Sequence, residues 1–248
     1  MPKGFERATS DIKKLRLIVR VGGLEKEGKT HFALTAPGSI GMQAMDRGTE
    51  GVVEKFADLK DIFVKGYRDM PAKTPEDHQA RWDAFVTDYK MLLKDPIIRT
   101  IVWDTDTEVW EMIRLAHFGK LTQIKSHHYG PVNAELRGLI DMAFTSDTNL
   151  IMAARYKKQY IKKNPHSDDS VWNGKFDAAG FTEVASIVQV NLRTKLVRDG
   201  DGEQIPTIEV INCRQNMQMN GEVFEGEMAN FPWIAANIIE GTSPGDWE

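Results

Sequence analysis

The chain is poor in the features that mark secreted, zinc-binding and membrane-spanning proteins. Cys213 is the single cysteine among 248 residues, so no intramolecular disulfide can form. His117, His127 and His128 do not stand at metal-ligand spacing with Cys213 or with one another, and we expect no zinc site. There is neither an arginine-led apolar leader nor an apolar run of about 18 residues, so we expect a soluble, cytoplasmic protein without a membrane partner.

A strong net charge of either sign is also missing. The formal net charge is −4, so a nucleic-acid partner would have to be held by local basic segments and not by the field of the whole molecule. Hydrophobic residues make up 41% of the chain, which is enough for the core of one large or two small domains. The composition therefore excludes a disordered protein.

Apolar strands alternate with helical patterns as far as Ala154. The predicted strands are 15–21, 40–45, 97–103 and 150–154, and the predicted helices are 29–35, 73–94, 108–118 and 132–144. This alternation predicts an α/β fold in which a mainly parallel sheet carries helices on both faces and binds its ligand at the carboxyl ends of the strands. Residues 186–196 and 207–213 predict a late antiparallel hairpin around a turn at 198–202.

The chain divides into three parts by composition. We assign an N-terminal arm to 1–14, a core to 15–216 and a C-terminal extension to 217–248. The arm is polar and basic, and the extension ends in a Gly/Ser/Pro-rich stretch that we expect to fray. The motifs that carry chemistry fall in the core.

Residues 23–30 read GLEKEGKT between the first predicted strand and the first predicted helix. The pattern G-x-x-x-x-G-K-[ST] binds phosphates because loop N–H groups point at the phosphate oxygens, the lysine reaches the β- and γ-phosphates and the hydroxyl ligates Mg²⁺. Gly28, Lys29 and Thr30 take these positions. We therefore predict ATP and Mg²⁺ as cofactors, bound by Gly23, Glu25, Lys26, Glu27, Gly28, Lys29, Thr30, His31 and Asp104. A Gly-rich turn without a ligand is the less favoured alternative.

The interior of this loop departs from the usual pattern. Glu25 and Glu27 stand where small residues are common, and their negative charge opposes phosphate binding. Both side chains can point to solvent while the backbone holds the anion. We expect a weakened affinity for ATP, with an inactive site as the alternative.

The predicted strand 97–103 leads directly into Asp104. A carboxylate at that strand end can hold Mg²⁺ together with Thr30, so these two residues form the predicted metal site. Asp106 and Glu108 follow closely, and we interpret them as surface or helix-cap groups.

A general base for attack of water on the γ-phosphate is expected just beyond the second strand. We favour Glu50, with Asp46 as the alternative, because both follow the strand that ends near the phosphate loop. A solvated turn over 46–51 explains the same residues almost equally well.

A long polar segment at 156–183 is rich in lysine and aromatic residues, and we interpret it as a loop. Single-stranded DNA is bound by cations along its backbone and by aromatic rings that stack on its bases. The residues of this kind are Lys157, Lys158, Lys162, Lys163 and Lys175, with Tyr156, Tyr160, Trp172 and Phe176. The alternative is a solvated basic loop whose aromatic side chains are buried in the core.

Together these segments resemble the RecA-like recombinase core, and more closely the phage-encoded P-loop nucleotide-binding proteins linked to single-strand annealing. The resemblance covers roughly 5–214 and is carried by FERAT before LRLIVRVGG, the GKT loop, MDRGTEG after the second strand and TIVWDTDTEVW around Asp104. It implies a RecA-like ATPase core, a ring or filament of identical subunits, single-stranded DNA as partner, and a host-cytoplasmic location. A single-strand binding protein is a further possible partner on this resemblance.

The resemblance also assigns further residues. His128 and Tyr129, in HYGP before a helix, look like part of the first DNA-facing loop, and 156–183 would be the second. Arg214 matches the basic residue that reaches the ATP of the neighbouring subunit, and Arg155 stands where the family usually has an amide or a hydroxyl. The segment from Phe5 to Ala8 resembles a hydrophobic handle for the next subunit, although a plain N-terminal arm is the favoured interpretation.

The leading hypothesis is an ATPase that binds single-stranded DNA and promotes annealing or recombination as an oligomer. The first alternative is a P-loop nucleotide switch that touches no nucleic acid. The second is a helicase-loader or packaging-type ATPase. The basic and aromatic residues of 156–183 favour the first hypothesis.

Overall fold

The computed structural model describes residues 15–120, 128–164, 169–198 and 200–248. Within these residues the strands are β1 (Ile18–Gly23), β2 (Ser39–Ala44), β3 (Ile62–Gly66), β4 (Ile98–Asp104), β5 (Asn149–Lys162), β6 (Ser170–Ala178), β7 (Val190–Arg198), β8 (Gln204–Cys213) and β9 (Val223–Glu225). The α-helices are α1 (Lys29–Leu34), α2 (Pro75–Leu92), α3 (Asp106–Phe118), α4 (Tyr129–Thr145), α5 (Val184–Ile187) and α6 (Phe231–Ile238). The predicted N-terminal arm lies outside the described residues.

The strands form one sheet in the order β3-β2-β4-β5-β1-β7-β8-β9, and β6 pairs with the outer part of β5. All neighbours from β3 to β7 are parallel, whereas β7, β8 and β9 are antiparallel. The predicted fold class, a mainly parallel α/β sheet with a late antiparallel hairpin, is confirmed. Parallel pairing brings the carboxyl ends of β1, β2, β4 and β5 to one edge of the sheet.

Helices cover both faces of the sheet, because the parallel strands alternate between two buried surfaces. Val19 and Val21 pack against α1 and α6 on one face. Ile18 packs on the other face, where α2, α3, α4 and α5 lie. There Trp103 of β4 contacts Phe85 and Tyr89 of α2, with ring centroids 5.6 and 5.0 Å apart.

The sequence interpretation missed β3 and α5. β3 is an edge strand whose residues 63–66 are exposed, so it lacks the apolar run by which the buried strands were found. The predicted strand 186–196 begins later, at Val190, because Val184–Ile187 forms the short helix α5. Val184 and Ile187 are buried on the α4 side of the sheet.

The interpretation of 156–183 as a loop is wrong. β5 continues to Lys162, and β6 returns antiparallel beside it. This pairing satisfies the backbone groups of a polar segment without burying its side chains. We call residues 156–162 and 170–178 the ribbon. Tyr160 is 59% exposed and Trp172 is 46% exposed, so the alternative in which the aromatic side chains are buried is also wrong for these two.

The C-terminal extension packs against the core. β9 pairs with β8, and Phe231 and Trp247 are each 1% exposed beside Phe32 of α1. The expected fraying of the last residues is wrong, because Ser243 and Asp246 cap a 3₁₀ turn that buries Trp247. The division into 15–216 and 217–248 stays a prediction. Among the described helices none has the length and apolarity needed to cross a membrane.

Candidate nucleotide-binding site

The segment from Gly23 to Thr30, which we call the phosphate loop, joins the carboxyl end of β1 to α1. Gly28 precedes the helix with a φ of 87°, in the left-handed region where a side chain is strained. A Cβ at Gly28 would meet no atom within 4 Å, so its requirement for glycine comes from the backbone conformation. Gly23 differs, since a Cβ there would lie 2.4 Å from the Thr194 hydroxyl.

The two carboxylates of the loop behave differently. Glu25 is exposed, as expected. Glu27 instead turns back to the loop, where its Oε2 accepts a 2.6 Å hydrogen bond from the Leu24 N–H. The carboxylate therefore stabilises the loop conformation while it occupies one of the amides that could face a phosphate.

The Lys29 ammonium lies across the loop. Its Nζ donates to the carbonyl oxygens of Gly23, at 3.1 Å, and of Leu24, at 2.5 Å. Burial lowers the pKa of Lys29, and the nearby Asp104 and Glu27 carboxylates oppose that shift. The main chain of the loop thus positions this cation where a phosphate would enter.

Thr30 and Asp104 meet as the sequence predicted. The Thr30 hydroxyl donates a 2.7 Å hydrogen bond to Oδ2 of Asp104, which is 3% exposed at the end of β4. Burial raises the pKa of Asp104, and the hydrogen bond from Thr30 opposes this shift. A buried carboxylate of this kind gains from a nearby cation. The described residues contain no cluster of three or more His, Cys, Asp or Glu side chains suited to a metal.

These groups line a cavity of about 500 Å³ beside the phosphate loop, which we call the loop cavity. Its wall includes Lys26, Gly28, Lys29, Thr30, His31, Asp46, Asp104, Thr105 and Arg155. The ring of His31 also contacts Phe56, with 4.8 Å between the centroids. Seven of the nine predicted cofactor residues line this cavity, and Gly23 and Glu27 do not.

Arg155 joins the loop cavity to the start of the ribbon. Its Nη2 lies 2.6 Å from Oδ2 of Asp46, and its Nη1 lies 2.5 Å from Oε1 of Glu108. Glu108 is therefore an ion-pair partner and not simply the surface or cap group that was expected. Tyr156, the first ribbon residue, follows Arg155 directly.

The two candidates for the general base are placed differently. Asp46 lines the loop cavity, whereas Glu50 is exposed and does not line it. The geometry thus favours the residue that the sequence ranked second, although Asp46 is held by Arg155. The identity of the base stays a prediction.

The interpretation of Asp106 as a surface or cap group is wrong. Thr105 is the N-cap of α3, and Asp106 is 2% exposed. Its Oδ2 lies 2.7 Å from Nε of Arg20, which is 4% exposed in the middle of β1. Burial raises the pKa of Asp106, and the Arg20 charge opposes this shift. An arginine inside the apolar run LRLIVRV was the sequence signal for this pair, because a buried cation needs a carboxylate.

Of the residues assigned by resemblance, His128, Tyr129 and Arg214 do not line the loop cavity. Tyr129 stacks on Trp110 at the start of α4, with ring centroids 5.3 Å apart, and the His128 ring lies 5.7 Å from that of Phe118. The Arg214 guanidinium donates to the carbonyl oxygens of Ser186 and Ile187. Its action on a neighbouring subunit stays a prediction.

One face of the ribbon combines cations with aromatic rings. The pairs Lys158 with Phe176 and Tyr160 with Trp172 lie opposite each other across the two strands. The Lys158 ammonium lies 5.0 Å from the centroid of the Trp172 ring, and the Trp172 and Phe176 centroids are 5.7 Å apart. The remaining predicted DNA-binding lysines are all exposed: Lys157, Lys162, Lys163 and Lys175.

Comparison with known proteins adds little to this geometry. No protein-family model and no curated protein matches the chain. A solved ATPase from the type III secretion system of pathogenic bacteria matches with 13% identity and a TM-score of 0.44. The match covers 71% of this chain and 51% of that chain, so this chain spans about half of that protein. At this identity and TM-score, the match gives no information about the activity of this chain.

Proposed function

We propose that this protein binds and hydrolyses Mg-ATP in the loop cavity and uses the nucleotide to control binding of single-stranded DNA by the ribbon. One observation carries the nucleotide part of the proposal. Lys29, Thr30 and Asp104 converge in one cavity beside a loop of phosphate-binding sequence, with Thr30 and Asp104 in direct contact. The cavity volume of about 500 Å³ falls in the usual range for small-molecule sites.

Each of these residues has a specific role in the proposal. Lys29 exchanges the carbonyl oxygens of the loop for phosphate oxygens, and the loop N–H groups donate to the same phosphates. Thr30 and Asp104 hold Mg²⁺, which neutralises charge on the phosphates when it is bound. Asp46 or Glu50 orients the attacking water and takes up its proton.

Arg155 is proposed as a contact of the terminal phosphate within the same subunit. Its guanidinium lines the loop cavity together with Lys29. In the structure it binds Asp46 and Glu108. A phosphate would compete with these carboxylates for Arg155, because its negative charge is attracted to both Lys29 and Arg155.

The substitution Arg155→Gln is expected to lower kcat/KM for ATP by about 10- to 100-fold, the loss of one charged hydrogen-bonding contact. Phosphate release in the presence of Mg²⁺ measures this effect. Arg47→Gln is the matched control, since Arg47 is an exposed arginine next to Asp46 and does not line the loop cavity. Equal kinetics of both variants and the native protein would show that Arg155 does not contact the phosphate. Thermal unfolding of each variant separates this effect from a loss of stability.

The ribbon supports the DNA part of the proposal. Its face of Lys158, Tyr160, Trp172 and Phe176 offers both the cations and the stacking rings that single strands require. The sheet edge that carries the ribbon also carries the loop cavity, and β5 runs from one to the other. We further propose that the protein acts as a ring or filament of identical subunits, with annealing or recombination as the outcome.

Trp172→Ala is expected to weaken binding of a single-stranded oligonucleotide by about 5- to 150-fold, the contribution of one stacked base. Trp233→Ala is the control, because Trp233 is 43% exposed on α6 and Trp172 is 46% exposed on the ribbon. Fluorescence anisotropy of a labelled oligonucleotide gives both affinities. If the two variants bind equally, the ribbon does not stack on bases. If the native protein binds no single strand even at low salt, a nucleotide switch or an assembly ATPase without DNA contact becomes the better function.

A further inference from the structure

A second cavity, of about 460 Å³, lies at the base of the ribbon. Arg20 and Gly22 of β1 line it, and they point away from α1 because they alternate with Val19 and Val21. Tyr156 and Phe176 form the wall toward the ribbon. The second cavity is therefore separate from the loop cavity, which shares none of its lining residues.

Arg193 of β7 gives this cavity a cation with an unfilled donor. Its guanidinium carbon lies 5.6 Å from the centroid of the Tyr156 ring, and its Nε is buried without a hydrogen-bond partner. Arg20, the other cation of the lining, is already paired with Asp106. Buried charged groups rarely remain without a partner, so the Arg193 guanidinium can bind an anion that enters the cavity.

The remaining charged group of the lining is Asp177 of β6. It is exposed, and its carboxylate accepts a hydrogen bond from the Gln159 side chain on the ribbon. Glu209, which lies opposite Arg193 on β8, pairs with Lys195. Both carboxylates thus have partners other than Arg193, so the guanidinium of Arg193 can bind the anion of a ligand.

The second cavity continues the aromatic face of the ribbon. Phe176 belongs both to its wall and to the ring contact with Trp172. Tyr156 stands two residues before Lys158 on the same strand, so both side chains are on one face. A single-stranded DNA whose bases stack on Trp172 and Phe176 would therefore reach Arg193.

We infer that the second cavity binds one nucleotide of the single-stranded DNA held by the ribbon. Arg193 donates to a phosphate oxygen, and the apolar wall of Phe176 and Ile211 receives the base. This inference rests on the proposed function of the ribbon and extends it to a defined nucleotide subsite. An acidic side chain from a second copy of this chain is the competing occupant.

Anisotropy titrations over a range of salt concentrations test the subsite. Arg193→Met is expected to weaken binding about tenfold, as for the loss of one charged contact. The slope of log affinity against log salt concentration should become shallower by about 0.7, as for the loss of one phosphate contact of a single strand. Arg198→Met is the control, because Arg198 is exposed on the same strand and does not line the cavity. In parallel, an oligonucleotide containing 5-iodouracil is photo-cross-linked to the native protein, and Tyr156 is the expected attachment site.

The outcomes separate this inference from the proposed function. If Trp172→Ala weakens binding, Arg193→Met has no effect and cross-links occur only near Trp172, then the ribbon binds DNA and the subsite inference is wrong. It is also wrong if Arg193→Met alters only self-association in sedimentation. If the native protein binds no single strand, the proposed function fails as well. If Arg193→Met does not fold, the cross-link to the native protein decides.

Discussion

Replacement of Lys29 by alanine is expected to reduce the kcat of ATP hydrolysis by about 100- to 1,000-fold, as for loss of one preorganised group that stabilises developing charge. Lys29 lines the loop cavity and is held by the carbonyl oxygens of Gly23 and Leu24, across the mouth of the phosphate loop. Alanine leaves this position without a cation. Release of phosphate at saturating Mg-ATP measures the effect.

Lys90→Ala is the matched control for this prediction. Lys90 is an exposed lysine in the last turn of α2 and does not line the loop cavity. We expect the kcat of this control variant to stay within about threefold of the native value, because exposed charges contribute little energy. Native activity of Lys29→Ala would show that the loop does not act on phosphate.

The substitution Asp106→Ala is expected to lower the free energy of unfolding by about 3–5 kcal/mol, because it leaves the buried Arg20 charge without a partner. Arg20 and Asp106 are 4% and 2% exposed and 2.7 Å apart. Urea denaturation followed by circular dichroism measures the loss. Glu183→Ala is the control, since the exposed pair of Arg137 and Glu183 should contribute about 0–1 kcal/mol.

The double substitution Arg20→Met with Asp106→Leu tests the cause of that loss. Replacement of both buried charges by apolar side chains is often neutral or stabilising, so the double variant should be more stable than Asp106→Ala. A double variant that is as unstable as Asp106→Ala would attribute the effect to packing and not to the uncompensated charge.

The local features of this site were predictable from the sequence. Gly28, Lys29 and Thr30 stand next to one another, and the apolar run before Asp104 marks a buried strand. Local patterns of this kind place the loop and the strand end, and parallel pairing then brings them together. The hydrogen bond between Thr30 and Asp104, across 74 positions, follows from that topology.

The ion pairs could not be predicted in the same way. Arg155 reaches Asp46 across 109 positions and Glu108 across 47, and neither choice of partner leaves a local pattern. The ribbon was missed for a different reason. Its strands mix lysine with aromatic residues and are mostly exposed, and their register shifts between Lys158 and Tyr160, so they lack the apolar periodicity that marks a buried strand.

The most direct test of the account is anisotropy of a labelled single-stranded oligonucleotide titrated with the native protein, with and without Mg²⁺ and a non-hydrolysable ATP analogue. We predict salt-sensitive binding that prefers single strands to duplex and tightens with the nucleotide in the native protein, but not in Lys29→Ala. Absence of single-strand binding at low salt, with and without the nucleotide, would contradict the proposal that the loop cavity and the ribbon act together on DNA.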